Sequence, residues 1–314
     1  MVEKVVDLKK KKDENKNRRI EKNRKQRHDI AKKEHIENTV NITKILFKIV
    51  IILFVIFIIF YISCRYIGTS FLIVKEYSID YENLPSSFYG LKIVQISDVN
   101  YNKKTMPIKK IKDLINKVNS LNPDLIVFTG DLIYGDVTQN ELNQLEQEFS
   151  KLNATLGKYA VFGSDKDSAK ILIKNAGFTD IGNDYDLVYK NDYESILITG
   201  IDDNNPDIDS SFAYFNTDDS NQNIFTITLV HKPDMAVDIT NNRDVNLILA
   251  GHSLGGQIYI PRIGGLIKSE GATKYVNSYY RVNKSDLYVS SGIGTRKYPY
   301  RLFNHPSISL FRLK

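Results

Sequence analysis

Residues 91–100 read LKIVQISDVN, an apolar run that empties into an acid and an amide. PDLIVFTGDL (123–132), TITLVHKPD (226–234) and VNLILAGHSLGGQ (245–257) repeat the pattern, each placing an acid or an imidazole at the end of the run. Such runs are short, β-branched and bounded by turn residues, as strands covered on both faces should be. In open sheets of this kind ligands collect outside the carboxyl ends of the strands. Asp98, Asp131, His231 and His252 should therefore converge on one rim, although the chain separates them widely. Two carboxylates and two imidazoles suit a divalent metal. Taken singly, each has a plainer reading, as a turn acid, a helix cap or an imidazole satisfied by backbone. The recurrence decides for the set.

Between these strands, PIKKIKDLINKVNSLNP (107–123) and NELNQLEQEFSKL (140–152) space their apolar residues at helical intervals. The first starts with a proline, which the first turn of a helix tolerates. The second leads into a strand expected at 158–162. Strand and helix alternate here, which implies a layered α/β architecture. The second half, with ESILITGID and NIFTITLVH, is richer in strands. Its acidic, Asn-rich stretch 202–223 reads as an exposed loop.

Read together, SDVN (97–100), GDL (130–132), GSDK (163–166), VHKP (230–233) and GHSL (251–254) resemble the ordered blocks of the calcineurin-like metallophosphoesterases. The resemblance is to their membrane-associated bacterial branch. That family's blocks run D-x-H, G-D, G-N-H-D, a lone His and G-H-x-H. The likeness continues through SSGIGT (290–295) and RLFNHPSISL (301–310) and covers residues 76–314. It implies an α/β fold, a two-sheet β-sandwich flanked by helices.

The same comparison implies a degenerate metal site. The places of the first metal's ligands hold Asp98, Asn100, Asp131 and Leu254, so both of its imidazoles are gone. Those of the second hold Asp131, Ser164, His231 and His252, so three of four ligands remain. Asp165 stands in the place of the proton-donating histidine and is the candidate catalytic residue, with Lys166 where that histidine's acidic partner would be. Leucine ligates nothing, and an Asn carbonyl is a neutral oxygen better suited to hard cations. Asn100 and Ser164 are thus weak ligands. One divalent ion (Mn, Fe, Zn or Mg) is expected, and a second is not.

GHSLG (251–255) also fits the G-x-S-x-G nucleophile elbow of serine esterases, with Asp286 and His305 following in the required order. Against it, the elbow must open a helix, and QIYIPRIGG follows with Pro261 inside it. No HGGG-type segment precedes it.

Residues 45–64 are apolar except Lys48, Ser63 and Cys64, long enough to span a bilayer core, and form one expected transmembrane helix. Before it, residues 1–44 carry 15 Lys/Arg against 8 Asp/Glu, a net of +7 that leaves −1 for the rest of the +6 total. The expected organisation is a basic head that is disordered or a fluctuating helix (1–44), the span (45–64), a linker (65–75) and the large domain (76–314). Residues 25–44 hold five Lys/Arg, whereas the twenty after Cys64 hold only Arg65 and Lys75. The positive-inside rule then places the N-terminus in the cytoplasm and the domain outside it, on a single-pass anchor in the cell membrane. Anionic lipid is the natural partner of the head. Nucleic acid is disfavoured, because no aromatics interleave the basic residues. A single cysteine excludes an internal disulfide.

These readings lead to a membrane-anchored phosphoesterase, metal-dependent, whose address points to a lipid-linked or envelope phosphoester. The alternative is an inactive pseudo-phosphoesterase that serves as an envelope binding or scaffold protein.

Overall fold

A computed structural model describes residues 2–191, 193–216 and 223–314, with the side chains of the first helix described from Glu14 onward. That helix, α1 (Val2–Ile62), runs without interruption through the basic head and the apolar segment. No Gly or Pro occurs before Gly68, so nothing in the sequence ends it. The head is thus described as helix, one of the two states expected for it. Its Lys9–Lys12 side chains lie outside the described residues. Within it, Glu14–Ile67 contains a stretch apolar and long enough to cross a membrane, with none of it buried inside the protein.

The expected linker is shorter than 65–75. Cys64 is already buried, and β1 (Ile73–Ile79) pairs in parallel with the last strand, β14 (Ser307–Leu313). Met1–Tyr61 and Ile62–Lys314 are the two compact units of the chain.

The second unit is built on two six-stranded mixed sheets. The first runs β1-β14-β2-β3-β4-β5, adding β2 (Lys92–Ile96), β3 (Leu125–Thr129), β4 (Gly157–Val161) and β5 (Thr179–Asp180). In the second the order is β12-β13-β9-β8-β7-β6. It comprises β6 (Asp184–Tyr189), β7 (Ser195–Gly200), β8 (Thr226–Val230), β9 (Leu247–Ala250), β12 (Tyr279–Val282) and β13 (Ser285–Val289). A small hairpin, β10 (Tyr259–Ile260) and β11 (Gly264–Gly265), stands apart.

Alternation along each strand sorts its side chains into layers. Ile93, Leu125 and Val127 meet Ile196, Ile198, Ile227, Leu229, Leu247 and Leu249 between the sheets. Val94, Ile126 and Phe128 point the other way, under α2 (Ile108–Asn119), α3 (Gln139–Phe149) and α4 (Asp167–Asn175). On the far side, Leu197, Val230 and Ile248 pack with Phe212, Phe215 and Ile239 from α5 (Ile208–Ser211), the turn after it and α6 (Ala236–Asn242). Every layer is the α/β two-sheet sandwich that the sequence implied. Pro107 precedes α2 in extended conformation, and Thr138 with Glu141 forms a capping box on α3.

One expectation fails within 202–223. Its described part is not simply an exposed loop, because α5 and the following turn bury Phe212 and Phe215. Residues 217–222 lie outside the described residues. Gln95 ties the sheets together near the rim, its Nε2 donating to Thr129 Oγ1 (3.0 Å) and to the Ala250 carbonyl (2.9 Å).

Candidate metal centre

Parallel strands deliver their C-terminal ends to one edge, so the residues just past β2, β3, β4, β8, β9 and β13 meet there. The loops after β2 and β3 remain zipped beyond the strands: Asp98 N donates to Gly130 O (2.9 Å) and Asn100 N to Asp131 O (2.9 Å). Asp98, Asn100, Asp131 and His252 all turn through positive φ, at 49°, 46°, 59° and 65°. Asn, Asp and His tolerate that region better than other non-glycine residues, and strained backbone clusters at functional sites. The close quarters also require glycine at 163. A Cβ there would overlap the His231 ring and sit 2.7 Å from Asp131 Oδ1.

Asp131, His231 and His252 present one ligand atom each within 4.8 Å of one another. The His231 Nδ1 lies 2.7 Å from the Thr129 carbonyl and the His252 Nε2 lies 2.8 Å from the Glu270 carbonyl. Carbonyls only accept, so both of these outer nitrogens must carry the hydrogen. The inner nitrogens, His231 Nε2 and His252 Nδ1, are then both acceptors and lie 2.9 Å apart. A shared proton or a cation relieves that approach. Ligating histidines are held in this way, with the outer N–H given to a backbone carbonyl. Two imidazoles and a carboxylate suit Zn, Mn or Fe, so this half of the rim fits one divalent ion. Without a cation, a proton fills the gap. Burial alone would pull the His231 imidazole down, but the facing Asp131 carboxylate, with Asp98 behind it, pushes it up to about 9. The same carboxylate is held well below its usual range: burial opposes this, and His231 and Arg296 overcome it.

The other half of the rim is filled differently. Arg296, in the loop past β13, donates from Nη2 to Asp98 Oδ1 (3.1 Å), to Asp131 Oδ2 and to His252 Nδ1 (3.0 Å). Burial works against the Arg296 charge, and Asp98 and Asp131 outweigh it, so its pKa is raised. Asp98 is fully committed elsewhere as well, its Oδ2 accepting from Ser97 Oγ (2.6 Å) and from His252 N (2.8 Å). It lies outside the three-residue ligand group. Asn100 is buried with its Nδ2 toward Asp98 O (3.3 Å), and Leu254 is buried, bordering Gly292 together with Asp98. Neither offers an imidazole.

Past β4, Ser164 N donates to Asp131 Oδ1 (3.0 Å), while the Ser164 side chain is exposed. Asp165 turns into the protein. Its Oδ2 accepts from Asp131 N (2.7 Å) and Gly163 N (3.3 Å), and its Oδ1 from Leu132 N (2.7 Å). Both oxygens are thus occupied by backbone donors that shape the Asp131 turn. Burial and the nearby Asp131 raise its pKa despite those donors. Lys166 pairs with Asp136 at the surface.

Two contributors escaped the sequence reading. Arg301 is fully buried and donates to the carbonyls of Gly292 (3.2 Å), Gly294 (2.7 Å) and Asn304 (3.3 Å), which fixes the loop that carries Arg296. Burial pushes its guanidinium down to about 10. Arg296 itself lies in a stretch with no apolar period, and nothing in the spacing singles it out.

The serine-esterase reading is not supported by the geometry. Ser253 is buried, with Oγ on the carbonyls of Val276 (3.2 Å) and Ser290 (3.4 Å), and the turn Leu254–Gly256 follows it instead of a full helix. Asp286 opens β13, opposite Leu247 at the start of β9, at the far end of the strands from Ser253.

A two-sheet sandwich with this rim of acids and imidazoles defines a metallophosphoesterase architecture. The sequence model of the calcineurin-like phosphoesterases matches residues 91–256, and the chain belongs to that family. The uncharacterized metallophosphoesterase YkuE of Bacillus subtilis is 32% identical over 80% of this chain and 88% of its own. A transmembrane protein with metallophosphoesterase domain from Danio rerio is 26% identical over 77% of this chain and 57% of its own. The UDP-2,3-diacylglucosamine pyrophosphatase LpxG of Chlamydia muridarum is 43% identical, over 26% of this chain and 25% of its own.

Proposed function

We propose that this chain is a membrane-anchored, metal-dependent phosphoester hydrolase that works with a single divalent ion held by Asp131, His231 and His252. The observation that carries the reading is the pair of ring nitrogens facing each other at 2.9 Å beside Asp131, each ring backed by a carbonyl on its outer N–H. When bound, such an ion supplies Lewis-acid polarisation of a phosphoryl oxygen. Thr129 O and Glu270 O fix both ring tautomers and orientations. Asp165 acts as a positioning residue in this reading, holding the Asp131 turn through three backbone N–H groups, and is not the proton donor. Asp98 contributes indirectly, by anchoring Arg296 and the backbone of His252. A cavity of about 300 Å³ opens beside the centre, lined by Asn100, Asp131, Tyr134, Ser164, Lys166 and Arg296, among others. Arg296 supplies it with a guanidinium of the kind that holds a phosphoryl oxygen, while Lys166 is paired with Asp136 on the same wall.

The anchor sets the address. The basic excess before the span places the N-terminus in the cytoplasm and the domain on the extracytoplasmic side of the cell membrane. A lipid-linked phosphoester is the substrate class that fits a tethered site, and the partial likeness to a diacylglucosamine pyrophosphatase agrees with it. Lysines and arginines of the head lie on anionic lipid.

A second reading rests on Arg296. A guanidinium in contact with three of the rim residues neutralises them without a metal, which suits a binding protein that has kept the fold and lost the reaction. Metal content of the purified full chain, with chelator-sensitive hydrolysis of a generic phosphodiester and monoester, separates the two. Bound metal and activity lost on chelation are expected. A folded protein without metal or turnover supports the binding protein.

A further inference from the structure

Asp131 turns its two oxygens to different sides. Its Oδ1 accepts from Ser164 N (3.0 Å) and looks to His231 Nε2 at 3.5 Å, and its Oδ2 takes the Arg296 guanidinium. A carboxylate shared between neighbouring cations behaves in this way. On the Arg296 side the remaining partners are Asp98 and His252. Of the two positions from which the family resemblance lacks imidazoles, Asn100 lines the same cavity as Arg296, and Leu254 shares the border of Gly292 with Asp98, the acid that Arg296 holds. The missing ligands and the added cation therefore lie on the same side of Asp131. A positive charge next to Asp98 and Asp131 also settles a cost that the sequence leaves open, since two buried carboxylates would otherwise repel each other across the rim.

From this we infer that Arg296 is the resident cation of the first metal position, a guanidinium built into the chain in place of an ion. The inference deepens the single-ion function proposed above and rests on it for its chemistry. A guanidinium can hold a phosphoryl oxygen through charge-assisted hydrogen bonds, but it stays protonated and does not acidify water as a metal does. The site is thus a hybrid, with one position for an exchangeable ion and one for a fixed charge that no chelator removes.

The test counts ions, in the full-length chain held in detergent or nanodiscs and titrated with Mn2+. Asn100→His/Leu254→His restores both imidazoles and keeps Arg296. The same pair with Arg296→Ala, and with Arg296→Gln to keep the bulk, removes the charge. Bound manganese per folded chain should be unchanged from wild type in the double variant and one higher in the triple variants. If the wild type holds one ion, the added one should give a spin-coupled manganese pair by electron paramagnetic resonance. An extra ion in the double variant with Arg296 present overturns the inference, as does a folded triple variant that gains none. Because the inference is read from the increment and the single-ion function from the wild-type count, the two can fail separately. Arg296→Ala alone supplies a check that does not depend on the new histidines. Mn2+ should raise its melting temperature by more than it raises the wild type's, and an equal rise in both counts against the inference.

Discussion

The two ends of β13 handle charge in opposite ways. At its start, Asp286 accepts from Tyr81 (2.6 Å), Tyr279 (2.9 Å) and Arg281 (2.8 Å), and the cluster is closed on itself. Past its end, Asp131, His231, His252, Asp98 and Arg296 crowd together, with two ring acceptors 2.9 Å apart and the backbones of Asp98, Asp131 and His252 in left-handed conformation. One end is settled by ordinary hydrogen bonds. The other gathers two carboxylates, two imidazoles and a guanidinium in strained backbone, and such a concentration of perturbed groups distinguishes a site from a structural cluster.

Variants at the two ends should separate these behaviours. The largest effect is expected for His231→Ala, which removes one of three ligands. Metal affinity should fall by at least about 100-fold, since even outer-shell changes cost 10–100-fold. Calorimetric titration with Mn2+ or Zn2+ checks it, and retained affinity would move the centre elsewhere on the rim. Gly163→Ala comes next, because its new Cβ meets the His231 ring and Asp131 Oδ1. We expect a loss of affinity of about 10–100-fold, the size of an outer-shell disturbance, with the fold intact by circular dichroism. Asp165→Asn should cost about 1–3 kcal/mol in unfolding free energy, as its amide meets backbone N–H groups that need an acceptor. A proton-donor role predicts something else: turnover lost with stability and metal affinity unchanged.

The smallest change belongs to the opposite end. Asp286→Asn should destabilise by about 1 kcal/mol and leave metal binding alone. Its pH dependence follows from the direction of the shift. Burial alone would raise the Asp286 carboxyl, but hydrogen bonds from Tyr81, Arg281 and Tyr279 overcome that and hold it below its ordinary 3.8. The unfolded chain therefore binds this proton first on acidification. Stabilisation is complete above 3.8 and is lost as pH falls through the lower native value. Melting curves of wild type and variant should run apart at neutral pH and converge in acid. Curves that stay parallel into acid would remove the carboxylate from the cluster's account.

The legible part of the molecule is the part written in apolar pattern. Leu91–Ile96 and Leu125–Thr129 bury both faces, so their ends could be located and Asp98 and Asp131 placed on one rim. His231 and His252 followed from the same rule. What could not be read has no period. Arg296 sits in GTRKYPY, where a guanidinium looks like any loop charge until the fold brings it to Asp98. Thr129 and Glu270 contribute carbonyls, which every residue owns. Asp165 was visible as a motif position, but the direction of its side chain is a matter of rotamer and backbone donors. In the head, charge composition left disorder and a helix both open, and no Gly or Pro interrupts the helix before Gly68.

The order of strands in the first sheet carries a consequence in time. β14 lies between β1 and β2, antiparallel to the latter and parallel to the former. The strand that follows the apolar helix and the strand that precedes Asp98 are thus both made early, and each waits for a neighbour made more than two hundred residues later. Until Ser307–Leu313 leaves the ribosome, two strand edges stay open and sticky. A nascent chain has to keep those edges away from other chains until that strand arrives.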